Sequence, residues 1–311
     1  MTTWTAVTKR SWFPVAALAT VLLLGACGPQ PSAGSSPAAA PPASPSATGE
    51  SRGTDTVAIR VEKTGGFVPP QVLPARLPIV SIYGDGRVIT EGPVPAIYPG
   101  PALPNLQESR ISAADLDALI TRAFDAGVGS SPDLGQPGVA DAPTTRFTVT
   151  TEGGTKRLEA YALGHGDGTD GAATNNLTEE QKRNRQLLTD LLEALRDLPA
   201  TLGAGAVTPP APYQPESVAA IATPYAVEPA AGIPTPAAIA WPGPPLPGKR
   251  LTPDIDVGCV SAGGDEAKAV LAAAANANAA TPWTSDGTSW SVLFRPLLPD
   301  EADCASLARH R

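Results

Sequence analysis

Apolar and polar residues alternate with the two-residue period of a β-strand in the first ordered part of the chain. Val57, Ile59 and Val61 are separated by polar residues, which predicts a half-buried strand. Further β-rich runs flank Asp85-Gly86 and Gly153-Gly154. Because glycine takes the positive φ that a tight turn needs, we expect two hairpins here.

The period lengthens to that of an amphipathic helix in two segments. Ser112 to Ala126 is the first, with Ser112 as its N-cap and Asp115 three residues later. The second begins at Thr178, which forms a capping-box pattern with Gln181. The order of these elements predicts an α+β fold, with antiparallel hairpins and helices on one face. The apolar stripes are Leu116, Leu119, Ile120 and Ala123 in the first helix, and Leu187, Leu188, Leu191, Leu192 and Leu195 in the second.

Proline interrupts this pattern between Val207 and Arg250. Within this stretch, Ser217 to Ala222 is a candidate edge strand, and the rest is expected to be loop or polyproline-like because proline lacks an N–H donor. Trp241 is expected to cover a core. A smaller α+β module follows, with a strand at Ile255–Val260, a helix at Asp265–Ala277 and a hairpin at Trp283–Arg295 that turns at Asp286-Gly287.

The N-terminus carries the features of an export signal. Lys9 and Arg10 precede an apolar segment, Ser11 to Ala26, that is too short to span a bilayer. Leu24-Gly25-Ala26-Cys27 resembles the bacterial lipobox, in which cleavage before the cysteine leaves a thiol that carries lipid. The alternative is an ordinary secretory signal followed by an incidental cysteine. We therefore predict that Cys27 is acylated and holds the protein on the outer face of the cytoplasmic membrane.

These patterns divide the chain into five parts. Large apolar residues are almost absent from Gly28 to Thr54, so that region cannot bury enough surface to offset its ordering entropy. The predicted parts are a signal peptide at 1–26, a disordered Pro/Ala/Ser tether at 27–55, an α+β domain at 56–200, a Pro-rich connector at 201–250 and a small α+β module at 251–311.

Two cysteines remain after Cys27. In an exported chain, Cys259 and Cys304 are expected to form a disulfide, with two buried free thiols as the alternative. A redox role is not favoured because no Cys-x-x-Cys is present.

Composition excludes several function classes. The formal net charge is −8, so the chain has no basic surplus for a nucleic-acid backbone. It has only two histidines, which argues against sites built from several of them. The 36 prolines and 30 glycines imply long irregular stretches, although 42% hydrophobic residues still allow a core.

Four segments resemble exported lipoproteins of actinobacteria whose function is uncharacterised. The resemblance implies an envelope lipoprotein, and it transfers no activity and no site residues. The segments are Gly65–Pro70, Tyr83–Val88, Tyr98–Pro104 and Arg295–Glu301, the last followed by Cys304.

The loop from Gly166 to Gly171 fits the letters of a dinucleotide-binding motif, but the next helix cap lies seven residues beyond it. Asp167 and Asp170 in that loop are weak candidates for a Ca²⁺ site, and the EF-hand ligand pattern is absent. His165 is the only histidine of the predicted folded region, and the chain has no Gly-x-Ser-x-Gly elbow. We therefore predict neither a cofactor nor a catalytic residue.

Pairs of carboxylates carry the alternative hypothesis of a hydrolase. Asp300 with Glu301, or Asp254 with Asp256, would need a suitable separation in space, which a sequence cannot supply. Arg295 is expected to pair with a carboxylate or a carbonyl. Trp241, Trp283 and Trp290 either line a groove or cover a core.

The sequence thus favours a membrane-anchored extracytoplasmic binding or envelope-interaction protein over an enzyme, without deciding whether the chain is an enzyme. A carboxylate-using hydrolase that would employ Asp167, Asp170, Asp300 or Glu301 is the alternative. The sequence indicates neither the ligand or envelope partner nor the oligomeric state.

Overall fold

The computed structural model describes residues 52–164, 176–226, 236–252 and 255–307. The predicted signal peptide, Cys27 and the predicted tether up to position 51 lie outside these residues, and so does the loop that holds His165, Asp167 and Asp170. Gly49–Arg311 form one compact unit. Its described part contains two sheets flanked by helices, so the predicted α+β fold is confirmed.

The first sheet has seven strands in the order β6-β5-β1-β2-β3-β4-β7, and every neighbouring pair is antiparallel. Both predicted hairpins are present, as β2-β3 and β5-β6. The strand β4 was not predicted, because Leu106 is its only apolar residue. The strands are β1 (Val57–Thr64), β2 (Val80–Tyr83), β3 (Arg87–Glu91), β4 (Leu106–Arg110), β5 (Thr144–Thr151), β6 (Gly154–Tyr161) and β7 (Ala211–Pro212).

Two long helices cover one face of this sheet, as predicted. In α2 (Ala113–Asp125), Ser112 accepts a hydrogen bond from the Asp115 N–H. In α3 (Glu179–Arg196), Thr178 and Gln181 form the reciprocal capping box, which satisfies backbone N–H groups that the first turn leaves open. Their stripes are buried against the inward-facing side chains of β1, β2, β5 and β6. The exception is Leu187, which is about half exposed because it lies off the face formed by the other four leucines.

Two short helices complete this half of the fold. The helix α1 (Val72–Ala75) lies between β1 and β2, and α4 (Leu198–Leu202) follows α3 after Asp197. None of the helices in the described ranges combines the length and hydrophobicity needed to cross a bilayer.

The second sheet has six strands in the order β10-β11-β8-β13-β12-β9. All neighbours are antiparallel except β12 and β9. The elements are β8 (Ser217–Pro224), β9 (Ile239–Ala240), β10 (Lys249–Thr252), β11 (Ile255–Gly263), α5 (Gly264–Ala274), β12 (Trp283–Ser285), β13 (Thr288–Pro296) and α6 (Cys304–Leu307).

The position of β8 corrects two predictions for the Pro-rich stretch. It is an interior strand between β11 and β13, not an edge strand, and its one proline, Pro224, lies at its last position. The rest of the stretch is not only loop, since β7, β9 and β10 also form there. Segments of the predicted connector therefore take part in both sheets.

Each face of the second sheet is covered. On one face, Trp241, Trp283 and Phe294 pack ring against ring beneath α5, so these tryptophans cover a core and do not line a groove. On the other face, Cys259 of β11 is bonded to Cys304 of α6, which confirms the predicted disulfide.

Candidate functional site

The second face of the first sheet is divided into a covered half and an open half. Over β2, β3 and β4, Leu298 from the segment after β13 packs on Tyr83, Ile89 and Leu106. Over β1, β5 and β6, polar side chains line a cavity of about 540 Å³. We call this cavity the strand groove.

Strand alternation explains the polarity of the groove. Successive side chains of a strand point to opposite faces, so the residues between the core positions of β1, β5 and β6 all project to this side. Arg60 lies opposite Thr148 in the ladder, and Thr148 lies opposite Arg157. The groove is lined by Val57, Arg60, Glu62, Arg146, Thr148, Thr150, Thr155, Arg157, Glu159 and Asp300.

A buried ion pair forms the floor of the groove at β1. Arg60 donates to both carboxylate oxygens of Asp300, at 2.9 Å from Nη1 and 2.6 Å from Nη2. Its Nε donates to Ser81 at 2.9 Å, and the Tyr83 hydroxyl donates to Asp300 at 2.8 Å. The prediction of a half-buried β1 was therefore wrong: Arg60 is only 4% exposed, because the C-terminal segment covers the outward face of the strand.

The charges of this cluster are fixed near neutral pH. Burial alone would raise the pKa of Asp300, but the hydrogen bonds and charge of Arg60, with the Tyr83 hydroxyl, hold that pKa below its usual value. Burial alone would lower the pKa of Arg60. The hydrogen bond and the charge of Asp300 have the larger effect, so the pKa of Arg60 is raised. Burial raises the pKa of Tyr83. Asp300 is therefore an ionised acceptor and has no proton to give as a general acid.

The neighbouring carboxylate, Glu301, belongs to a second buried pair. Arg295 of β13 donates to Glu301 at 2.7 Å, and both side chains are about 1% exposed. The other Glu301 oxygen accepts the Leu298 N–H at 2.8 Å. The expected pairing of Arg295 with a carboxylate is confirmed.

These contacts bear directly on the predicted carboxylate pair. Asp300 and Glu301 are adjacent in sequence but bind arginines from different sheets, so they do not face one substrate position. Of the other predicted pair, Asp256 forms an exposed ion pair with Arg250, whereas Asp254 lies outside the described residues. Asp167, Asp170 and Cys27 also fall outside them, so their predicted roles stay predictions.

Among the described residues, one cation of the strand groove has no acidic partner. Arg146 contacts Glu159 at 2.7 Å and Glu62 at 3.4 Å. Arg157 is exposed and forms no ion pair with any described residue. Beside it, Thr150 and Thr155 share a hydrogen bond of 3.1 Å. Within the described part of the chain, the groove thus offers one guanidinium without an ion pair, beside hydroxyl groups.

Of the residues that line the groove, sequence reasoning had singled out only Asp300 as a candidate site residue. Arg60, Thr148 and Arg157 are visible as polar positions of alternating strands, but alternation marks a position only as facing away from the core. The strand pairing that brings them into one row depends on the register. Within the described part of the chain, no group of three or more metal-ligating side chains occurs.

Comparison with known proteins leaves the site to be interpreted from its own residues. The chain matches no family model, no curated protein and no solved structure.

Proposed function

We propose that this chain is a lipid-anchored binding protein on the outer face of the cytoplasmic membrane, and that the strand groove binds a small polar ligand carrying an acidic group. Two features support the two parts of the proposal. The lipobox-like segment ending at Cys27 supports the anchor. The guanidinium of Arg157, which forms no ion pair with any residue that the structure describes, supports the choice of an acidic ligand.

The observation that carries the binding role is the rigid floor of the groove. Ion pairs hold Arg60 and Arg146 in place, and the seven-stranded sheet fixes the spacing of Thr148 and Arg157. A preorganised site loses little conformational entropy on binding. Arg157 would pair with the acidic group, and the threonine hydroxyls would bond to neighbouring polar groups of the ligand.

The charges of the groove limit the ligand. Glu62, Glu159 and Asp300 lie on the same surface and would repel a second acidic group close to the first. A compound with one carboxylate or phosphate and several hydroxyl groups fits this lining. The groove is also too small for a folded protein domain.

The test is ligand-observed NMR on the purified mature chain with a panel of monocarboxylates, sugar acids and sugar monophosphates. We expect binding by panel members with one acidic group. Arg157→Gln should weaken that binding about tenfold, since a charge-assisted hydrogen bond contributes about 1.5–3 kcal/mol. Arg183→Gln is the matched control, because it removes an exposed arginine from α3 on the opposite side of the sheet. Equal binding by wild type and Arg157→Gln, or no binding by any panel member, would refute the groove as the site.

A further inference from the structure

Large apolar side chains are exposed at unusually high levels in two loops of the first sheet. Single exposed apolar residues are ordinary, but a cluster of them marks an interaction surface. Of the six most exposed large apolar side chains in the described ranges, four lie in these loops: Phe67 (88% exposed), Tyr98 (76%), Ile97 (63%) and Val94 (59%).

The strand register places both loops at one end of the sheet. The end of β1 pairs with the start of β2 through Val61 and Val80, and Val80 pairs with Thr90 near the end of β3. The connections 65–79 and 92–105 therefore leave the sheet on the same side. We call this side the apolar end.

Residues of both loops line one cleft. Arg76 donates to the carbonyls of Lys63 and Gly65, two residues before Phe67. Arg76 also lines a cleft of about 420 Å³ together with Val94 and Pro95. Val94 lines this cleft, and the other three exposed residues lie in the same two loops at this end of the sheet.

The second loop has the composition of a segment that enters a membrane interface. No charged residue occurs between Glu91 and Glu108, and residues 93–98 are all exposed. Tyr98, 76% exposed, combines an apolar ring with a polar tip, the kind of side chain enriched at membrane–water interfaces. When this loop moves from water into a membrane interface, no charged side chain of the loop has to lose its hydration.

Three cations lie close to one another at this end of the sheet: Arg76 lines the cleft and bonds the Lys63 carbonyl, and Arg196 acts on the Lys63 charge. Burial lowers the pKa of Lys63, and so do the nearby charges of Arg196 and Arg76. None of the three forms an ion pair with a described residue, and the nearby Asp197 instead caps α4 at the Ala200 N–H. An anionic surface would relieve the repulsion among these cations.

The opposite end of the sheet is built differently. There Arg52 pairs with Asp117, and Arg87 pairs with Asp55 and Asp85. The described chain also begins at this end, where Arg52 lies against Gly84 in the β2-β3 turn. Any anchor at Cys27 therefore joins the body far from the apolar end.

The intervening chain is long enough to allow contact. The eight residues of β1 span about 27 Å between the two ends. About 25 residues separate Cys27 from Arg52, and a chain of that length reaches up to about 85 Å when extended. A protein anchored at Cys27 can therefore lie with its apolar end on the membrane.

We propose that the apolar end is a membrane-contact surface: Phe67, Val94, Ile97 and Tyr98 enter the interface of an anionic bilayer, while Lys63, Arg76 and Arg196 contact its headgroups. The proposal rests on the proposed function in one respect, since the anchor supplies the nearby membrane. The surface is otherwise independent of acylation and of the strand groove. Its partner is the lipid surface itself.

The first test is co-sedimentation of the full mature chain, carrying Cys27→Ser and no lipid, with vesicles of equal parts phosphatidylglycerol and phosphatidylcholine. We expect binding that weakens with salt and on vesicles of phosphatidylcholine alone. Replacing Ile97 and Tyr98 together by Gln should lower the partition coefficient at least about tenfold, because two large side chains no longer leave water. Arg196→Gln should lower it about fivefold.

Matched controls separate this surface from apolar exposure in general. Phe124→Gln and Leu187→Gln alter the two other most exposed apolar residues, which lie on α2 and α3, and should leave partitioning unchanged. Arg157→Gln in the strand groove should also leave it unchanged, so loss of ligand binding and loss of membrane contact are distinguishable. All of these positions are exposed, and circular dichroism verifies folding.

A second measurement uses the acylated protein in vesicles that contain brominated lipids. A tryptophan introduced by Tyr98→Trp should be quenched, and one introduced by Leu187→Trp should not. Absence of vesicle binding, or equal partitioning by wild type and the double variant, would overturn the proposal. So would self-association in sedimentation that the double variant abolishes, since the surface would then bind a second copy. Failure of acylation at Cys27 would contradict the anchor alone.

Discussion

Arg60 of β1 and Asp300, which are 240 positions apart in the chain, form a two-pronged ion pair beneath the strand groove. The next residue, Glu301, binds Arg295 of the second sheet. One short segment after β13 therefore carries an acidic partner for an arginine of each sheet. This arrangement ties the two halves of the molecule together and forms the floor of the candidate site.

We expect Asp300→Asn to lower the free energy of unfolding by about 3 kcal/mol, because it leaves the buried Arg60 charge without its partner. Urea unfolding at pH 7 measures the difference. Asp256→Asn is the matched control: it breaks an exposed pair with Arg250 and should cost less than about 1 kcal/mol. If the two variants lose equal free energy of unfolding, burial of the Arg60–Asp300 pair does not increase its contribution to stability.

The Asp300 contribution should depend on pH in one direction. The folded state holds the pKa of Asp300 below the ordinary value of 3.8, so the folded protein keeps this carboxylate ionised at pH values where the unfolded chain protonates it. The stabilisation is therefore complete above about pH 5 and is lost as the pH falls through the folded-state pKa. The difference in free energy of unfolding between wild type and Asp300→Asn should be constant from pH 7 to 5 and should become smaller below about pH 4. Urea unfolding at each pH tests this, and a difference that stays constant to pH 2 contradicts it.

The disulfide should stabilise the second sheet. Cys259 and Cys304 are 45 positions apart, and the chain-entropy model assigns about 4 kcal/mol to closing a loop of that size. We expect the double variant Cys259→Ser, Cys304→Ser to unfold at a lower temperature than wild type by differential scanning calorimetry. Mass spectrometry without reduction should show a peptide linking the two cysteines, and free thiols at both positions would contradict the bridge.

Acylation of Cys27 should be detectable directly. We expect a clickable palmitate analogue to label the wild-type chain in actinobacterial cells and not to label Cys27→Ala. Cys304→Ser is the matched control, because it also removes one cysteine and should keep the label. Equal labelling of wild type and Cys27→Ala would place the lipid elsewhere.

Local patterns predicted most of the individual elements. Ser112 and Thr178 identify helix starts because capping depends on residues three positions apart. The hairpin turns at Asp85-Gly86 and Asp286-Gly287 were predictable too, because a tight turn depends on two adjacent residues. Proline content misled the prediction for β8, since neighbouring prolines do not prevent the residues between them from pairing on both sides.

By itself the sequence determined the α+β class, the amphipathic helices and the pairing of the two cysteines left after Cys27. The first two depend on residues that are close together in the sequence, and the third depends on the number of cysteines in the chain. Only the tertiary structure decided that Asp300 and Glu301 serve two different arginines, that Arg60 is buried, and that Phe67 and Tyr98 share one end of the sheet. Those outcomes depend on strand register and on how a distant segment crosses the sheet, and both are set by packing over the whole chain.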